Sequence, residues 1–234
     1  YERVATFRNF NLPGGEKAIK EPRRTAIGIL YELFGDDFIS HNYLSPIKSF
    51  SESELHNLAT MLKKEINSPA TSSAGRLFDA VASIIGISQQ VSFEGKAAME
   101  LEWAIGNTQT DGTYEYLKDK SEIRNPKSEI IIDWSPTILN ILEDVKRKID
   151  VATISAKFHN TLVEIIIDVA KRIGEKQVVL SGGCFQNKYL TERAVHRLKS
   201  ERFIPYWHQR VPTNDGGISL GQIAAVMKQK ENSL

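Results

Sequence analysis

The chain has 234 residues, which is enough to bury a hydrophobic core as one large or two small domains. Its composition is that of an ordinary globular protein, with 41% hydrophobic and 25% charged residues and a formal net charge of +1. This near balance of charges argues against nonspecific binding to nucleic acid or a membrane surface, and the single cysteine excludes an internal disulfide. Since no apolar run approaches the ~20 residues that cross a bilayer, we expect a cytoplasmic protein. A start at Tyr1 without a visible signal peptide suggests a fragment.

The N-terminal elements are indicated by alternation and by turn residues. Residues 1–10 alternate loosely between apolar and polar positions, which predicts a strand. The glycines of the Pro13–Gly15 turn follow, and then an apolar stripe predicts a helix that ends at Gly35. Ser51 and Glu54 have the spacing of a capping box, so a second amphipathic helix is expected to begin there.

A third helix is predicted over 71–87, TSSAGRLFDAVASIIGI, with one apolar side. Arg76, Asp79 and Ser83 lie three and four residues apart, so they share the opposite face. That face is either an exposed surface with an Arg76–Asp79 ion pair or a ligand-binding strip that faces a cleft. The pattern leaves both interpretations open.

The second half of the chain predicts a parallel α/β arrangement. Two short apolar segments near 114–133 indicate a β-hairpin. From residue 151 onward the pattern runs helix, strand, helix, strand, helix, which is typical of a three-layer lobe with parallel strands. We therefore predict that 1–15 and 151–234 form an α/β lobe, and that 16–150 is a mostly helical insertion subdomain containing the hairpin.

Two glycine-containing stretches near the C-terminal end carry the functional signal. The first, VVLSGGCFQN, predicts a buried strand that breaks at Gly182 and Gly183 and re-enters a helix near Asn187. Paired glycines lack Cβ atoms and permit positive φ angles, so successive N–H groups can point at one anion. The second, RVPTNDGGISLGQ, repeats this arrangement and adds Asp215 beside Gly216.

A phosphate cradle beside a carboxylate suggests a nucleotide site with a metal-binding group. The alternative is two ordinary loops with glycine caps, and the pattern alone favours neither. Asn187 and Asn214 are plausible polar contacts beside the glycines, whereas Gly216 and Gly217 fit a helix-start turn as well as direct ligand contact. Cys184 is interpreted as a small buried hydrophobe, because no histidine lies near it in sequence.

The motifs SGGCFQN and PTNDGGISLGQ resemble the closing motifs of the HypF-type hydrogenase maturation carbamoyltransferases. The segments LPGGEKAIKEPRR and SSAGRLFDAVA fit the same family pattern. Those proteins end in a domain similar to the Kae1/TsaD family, within the actin-like ATPase superfold. The resemblance implies an α/β fold of the actin-like (ribonuclease H-like) type with a large, mostly helical insertion. It also implies that the fold is incomplete, with the first lobe missing.

The resemblance also implies roles for individual residues. Asp79 falls where the family contacts the nucleotide sugar, and Gly95 lies in the turn that follows. Gly182 and Gly183 match glycines that contact phosphate. The residues assigned to nucleotide binding are Arg76, Asp79, Gly95, Gly182, Gly183, Asn187, Asn214 and Gly216.

The resemblance makes Asp215 a ligand of a divalent metal, namely Fe, Zn or Mn. In the family two histidines of an H-x-x-x-H helix complete this site, and the five histidines of this chain show no such spacing. One carboxylate alone binds metal weakly. We therefore expect no tightly held transition metal in the isolated chain.

Full-length proteins of this family use ATP and carbamoyl phosphate to form carbamoyl adenylate. They then pass the carbamoyl group to the C-terminal cysteine of HypE, which leads to the cyanide ligands of nickel–iron hydrogenase. By this resemblance the chain holds the adenylate. We expect the chain alone to be inactive. The charge balance and the lack of a long apolar run argue against a nucleic-acid or membrane partner. Two alternatives remain: another Kae1-like enzyme (an O-carbamoyltransferase or a tRNA threonylcarbamoyl transferase), or a non-catalytic lobe that docks HypE-like partners. Arg76, where many tRNA-modifying relatives have an acidic residue, argues against the tRNA enzyme.

Overall fold

The computed structural model describes residues 2–118 and 129–231 of the chain. The chain divides into two compact units, Tyr1–Thr161 and Leu162–Leu234. The fold is mixed α/β with mostly helical content. None of the helices in the described part of the chain is long and apolar enough to cross a membrane.

The first unit combines short strands with a helical layer. Its strands are β1 (Ala5–Phe7), β2 (Phe10–Asn11), β3 (Ala70–Thr71), β4 (Leu117–Lys118) and β5 (Ile130–Asp133). Its helices are α1 (Glu16–Lys20), α2 (Pro22–Phe34), α3 (Ser45–Lys48), α4 (Glu52–Lys63), α5 (Ala74–Ile84), α6 (Lys96–Trp103), α7 (Ser135–Lys146) and the first half of α8 (Val151–Ile173).

The single strand predicted over 1–10 is wrong, because the segment forms two short strands with different partners. β1 pairs in parallel with β5, and β4 joins β5 from the other side in antiparallel orientation. β2 instead pairs antiparallel with β3. The change of partner occurs at Arg8, whose N–H still donates to Ile132 O at 2.9 Å before the chain leaves the first sheet.

Helix α2 lies at the centre of the first unit and packs chiefly on α5. Ala26, Ile27, Ile29 and Leu30 of α2 are fully buried. Gly28 allows this helix to approach β2 closely, since a Cβ atom at Gly28 would lie 2.0 Å from the carbonyl oxygen of Asn11. The glycine is therefore required by packing.

Helix α4 begins with the capping box predicted from its sequence. Ser51 Oγ accepts from the Glu54 N–H at 3.3 Å, and the Ser51 N–H donates to Glu54 Oε2 at 2.8 Å. Two of the N–H groups that a helix start leaves without partners are satisfied in this way. This prediction is confirmed.

The second unit contains the end of α8, β6 (Gln177–Leu180), α9 (Lys188–Ser200), β7 (Ile204–Trp207) and α10 (Ile218–Glu231). Short 3-10 helices at Gly183–Gln186 and Asp215–Gly217 precede α9 and α10. β6 and β7 are parallel, as the helix–strand alternation predicted. The assignment of 1–15 and 151–234 to one lobe and of 16–150 to an insertion remains a prediction.

Helix α9 connects the two parallel strands and is fixed to the end of α8. Its buried side consists of Leu190, Ala194, Val195 and Leu198. Arg197 donates two hydrogen bonds, of 2.7 and 2.9 Å, to the carboxylate of Glu164 on α8. A bidentate contact of this kind fixes orientation as well as distance, so α9 is held against α8.

Candidate functional site

The C-terminal ends of β6 and β7 lie side by side in the second unit. Leu180 and Trp207 are the last paired residues of the two strands. Ser181 and His208 follow them directly, and Ser181 Oγ lies 3.1 Å from His208 Nε2. In open parallel sheets, ligands bind outside this end of the strands. The loops that leave these two strands are the two glycine-containing stretches.

Two hydrogen bonds join these stretches to each other. The Gly182 N–H donates to Thr213 O at 2.9 Å, and Thr213 Oγ1 donates to Gly182 O at 2.6 Å. The stretches are therefore in direct contact, as a shared ligand site requires.

The first stretch presents glycines beside open space. Gly182 has a φ of 103°, in the region that side chains disfavour. A Cβ atom built on Gly182 or on Gly183 would meet no atom within 4 Å. Packing within the described residues therefore does not explain why a glycine occupies position 183. A ligand bound against this surface would explain it.

The second stretch differs, because its glycines are explained by the turn itself. Asn214 Oδ1 accepts from the Gly216 N–H at 3.1 Å and so begins the 3-10 helix before α10. A Cβ atom on Gly217 would lie 2.6 Å from Pro212 O, and one on Gly216 would lie 3.1 Å from Asn214 Oδ1. Gly216 and Gly217 are therefore required by the turn. Gly182 and Gly183 instead border space that no described atom occupies.

Asn187 has a structural role at the start of α9. Its Oδ1 accepts from the Leu190 N–H at 2.8 Å and caps the helix, and the residue is buried. The positive end of the α9 dipole consequently lies at the end of the Gly182 loop, where it favours an anion. A contact between Asn187 and a nucleotide remains a prediction.

Asp215 is exposed at the start of its 3-10 helix. Within 2–118 and 129–231, no group of three or more His, Cys, Asp or Glu side chains could hold a metal ion. The described residues thus do not fit a complete metal site around Asp215. Its role as one ligand remains a prediction.

The polar face of α5, in the first unit, is buried. Arg76 is 8% exposed and Asp79 is 2% exposed, so the interpretation of an exposed ion pair is wrong. Arg76 Nη2 also donates to Glu94 Oε1 at 3.0 Å. The turn that follows contains Gly95, which has a φ of 85° and precedes α6.

The contact between Arg76 and Asp79 is close but poorly aligned. Arg76 Nη1 lies 2.9 Å from Asp79 Oδ2, yet neither atom has a hydrogen-bond partner among the described residues. The distance shows attraction between charges, while the angles leave both hydrogen-bonding groups unsatisfied. Buried polar atoms without partners are rare in proteins and costly, so they mark a place where a ligand can supply them.

Burial raises the pKa of the Asp79 carboxyl from 3.8 to about 7. The Arg76 guanidinium opposes this rise, and the negative charge of Glu94 adds to it. A carboxyl with this pKa exists in both protonation states near neutral pH. Asp79 can therefore donate or accept a hydrogen bond, which suits recognition of a hydroxyl group.

Sequence reasoning missed the pairing of Ser181 with His208. The two residues are 27 positions apart, and only the register of β6 with β7 brings them together. His159, by contrast, lies in the core, where its Nδ1 is 2.8 Å from Ser155 O and its ring packs against Phe78. Cys184 is half-buried beside the loop.

Comparisons with known proteins agree on one family. A family model described as carbamoyltransferase, Kae1-like domain, second subdomain, matches residues 1–222. Carbamoyltransferase HypF of Synechocystis sp. is 35% identical over 99% of this chain and 31% of its own length. Probable carbamoyltransferase HypF of Methanocaldococcus jannaschii is 34% identical over 97% of this chain and 29% of its own length.

Solved structures give the same result. Full-length HypF in a phosphate- and nucleotide-bound form matches with a TM-score of 0.82 and 38% identity, over 94% of this chain and 28% of that chain. T. kodakarensis HypF matches with a TM-score of 0.78 and 26% identity, over 94% of this chain and 29% of that one. The chain thus spans about 30% of the length of these relatives. The predicted α/β fold of a Kae1-like domain is confirmed.

Proposed function

Because the chain belongs to the HypF family of carbamoyltransferases, we propose that it holds the nucleotide during carbamoyl transfer. The observation that carries this proposal is the contact of the two glycine stretches through Gly182 and Thr213. A solved HypF with 38% identity to this chain is in a phosphate- and nucleotide-bound form, which supports a ligand of that type.

The phosphate groups are assigned to the Gly182 loop. The open space above Gly182 and Gly183 permits close approach of an anion to the backbone. The N-terminus of α9 adds a favourable partial charge worth about 0.3–1 kcal/mol. Asn214 and Gly216 stand beside this surface because Thr213 is bound to Gly182.

The nucleotide sugar is assigned to Asp79, with Arg76 and Gly95 beside it. Two adjacent hydroxyl groups would fill the hydrogen bonds that Asp79 Oδ2 and Arg76 Nη1 lack. The pKa of Asp79, about 7, lets its carboxyl serve as donor or acceptor to such a pair. Binding of the sugar would explain why Arg76 and Asp79, two charged residues, lie at buried positions.

The metal assignment is limited to one residue. We propose Asp215 as a single carboxylate ligand to a divalent Fe, Zn or Mn ion, with histidine ligands that this chain does not supply. The described residues do not complete such a site.

The proposed reaction belongs to the whole protein. ATP and carbamoyl phosphate would give carbamoyl adenylate, and the carbamoyl group would pass to the C-terminal cysteine of a HypE-like partner. The carbamoyltransferase names of the relatives support the transferred group, while the adenylate and the acceptor extend beyond those names. The chain by itself is expected to be inactive.

A specific observation also favours a second function, docking of a HypE-like protein. Val179 is 69% exposed and Tyr206 is 49% exposed, and the two are paired on one face of the β6–β7 sheet. Parallel sheets in solved proteins have both faces covered. Loss of nucleotide binding with retained partner binding would favour docking as the function of the second unit.

The nucleotide assignment is tested by isothermal titration of the 234-residue chain with ATP and ADP. We expect binding that Asp79→Ala weakens. Asp79→Asn, which keeps the side-chain shape, controls for unfolding of the alanine variant. Absence of binding to the parent chain, or equal binding by all three proteins, would contradict the assignment.

A further inference from the structure

The ring of His208 is held at the same sheet edge as the Gly182 loop. His208 Nε2 lies 3.1 Å from Ser181 Oγ, and Ser181 immediately precedes Gly182. Gly182 is itself fixed, because its N–H donates to Thr213 O and its carbonyl oxygen accepts from Thr213 Oγ1. The imidazole of His208 is therefore held by the residue that immediately precedes the exposed glycines Gly182 and Gly183.

The Ser181–His208 pair retains a donor in either tautomer. If the serine hydroxyl donates to Nε2, then Nδ1 carries the proton and can donate outward. If Nε2–H donates to the serine oxygen, then the serine hydroxyl hydrogen can point elsewhere. Both side chains are exposed, so this donor can reach a bound molecule.

We propose that His208 contacts the phosphate of a nucleotide bound at the Gly182 loop, and that Ser181 positions its ring. This inference rests on the proposed function, since it concerns the same site and names a further residue in it. The ligand class is a nucleoside phosphate, because the neighbouring glycines and the start of α9 suit an anion. In this arrangement the Ser181 hydroxyl donates to Nε2, so the ring proton lies on Nδ1, from which His208 donates to the phosphate.

The test is a nuclear magnetic resonance titration of the 234-residue chain with ATP. The Cε1–H signal of His208 should move as ATP is added. His196 supplies the matched control, because it is an exposed histidine on α9 in the same unit, outside the two glycine stretches. Its signal should stay in place. Movement of neither signal at concentrations where ATP binds would overturn the proposal.

Affinity measurements on variants complete the test. His208→Ala should weaken ATP binding about tenfold, the size of one hydrogen bond to a charged group, with Tm unchanged because the residue is exposed. Ser181→Ala should have a smaller effect in the same direction, and His196→Ala should have none. Equal affinity of His208→Ala and the parent chain would overturn the proposal.

The two proposals fail in different ways. If ATP binds and Gly183→Val abolishes binding while His208→Ala does not alter it, the nucleotide site stands and the role of His208 is refuted. If the parent chain does not bind ATP, the nucleotide site is refuted and the role of His208 with it.

Discussion

Gly182 and Thr213 exchange two hydrogen bonds, one between backbones at 2.9 Å and one from the threonine hydroxyl at 2.6 Å. The residues are 31 positions apart, on loops that leave two parallel strands at the same edge. A backbone bond alone would allow the loops to twist against each other. The second bond, from a side chain, fixes the carbonyl of Gly182 and hence the direction of the peptide that follows.

Thr213→Val should loosen this junction with little change in side-chain shape. The variant removes one hydrogen bond to an exposed loop, which is worth about 1 kcal/mol, so we expect roughly fivefold weaker ATP binding. Isothermal titration calorimetry measures the affinity of the variant for ATP. Thr60→Val is the matched control, since Thr60 Oγ1 donates to His56 O on the surface of α4. Equal affinity in both variants would show that the junction does not shape the site.

Asp79 should make stability depend on pH. Its folded-state pKa of about 7 exceeds the ordinary value of 3.8, so the folded state holds the proton more tightly than the unfolded state. Stability should therefore fall as pH rises from about 4 to about 7, by at most about 1.4 kcal/mol per pH unit.

Asp79→Asn cannot ionise, so its Tm relative to the parent chain should increase between about pH 4 and about pH 7. Thermal unfolding at several pH values provides the measurement. Asp37→Asn, at an exposed carboxyl, is the matched control. A difference in Tm between Asp79→Asn and the parent chain that stays constant with pH would show that burial does not perturb Asp79.

Gly28→Ala should destabilise the first unit strongly. The added Cβ atom would lie 2.0 Å from Asn11 O, so α2 and β2 must separate, at a cost of about 1–3 kcal/mol or more. Gly75→Ala is the control within another helix. Its Cβ atom would meet Ser73 Oγ at an ordinary 3.5 Å, and we expect a gain of about 0.5–1 kcal/mol. Chemical denaturation compares the two, and equal effects would refute the packing role of Gly28.

Asn187→Ala should lower stability by about 1 kcal/mol, because α9 loses the side-chain cap on the Leu190 N–H. Asn187→Asp keeps an oxygen at the same position and should retain the cap. Thermal unfolding distinguishes the cap from a ligand contact. If both variants unfold like the parent chain but bind ATP less tightly, the asparagine serves the ligand and not the helix.

Sequence patterns predicted the local structure of the two glycine stretches, except that β6 is not the buried strand that was expected, since Val179 is 69% exposed. A strand that ends in paired glycines, with a helix following it, is a local arrangement, so VVLSGGCFQN could be interpreted from neighbouring residues alone. The second stretch was placed beside it because parallel strands end at the same edge. The pairing of Gly182 with Thr213 follows from this topology.

Other features depend on distant contacts and could not be predicted from spacing. The spacing of Arg76 and Asp79 predicted a shared face, but only the packing of α5 against α2 and α6 determines that the face is buried. The steric demand on Gly217 comes from the carbonyl of Pro212 across a turn. The Ser181–His208 pair depends on strand register, which no local pattern specifies.

The most direct test of the account is ATP binding by Gly183→Val, measured by calorimetry on the 234-residue chain. A Cβ atom at this position meets nothing within 4 Å, and the glycine does not have a positive φ, so the variant should fold like the parent chain. Gly221→Val is the control, since this glycine also has open space but lies on α10, beyond the turn of the second stretch that contacts Gly182. The account predicts that Gly183→Val loses ATP binding while Gly221→Val retains it, because the valine at position 183 would occupy the space proposed for the phosphate groups. Undiminished ATP binding by a folded Gly183→Val would contradict it.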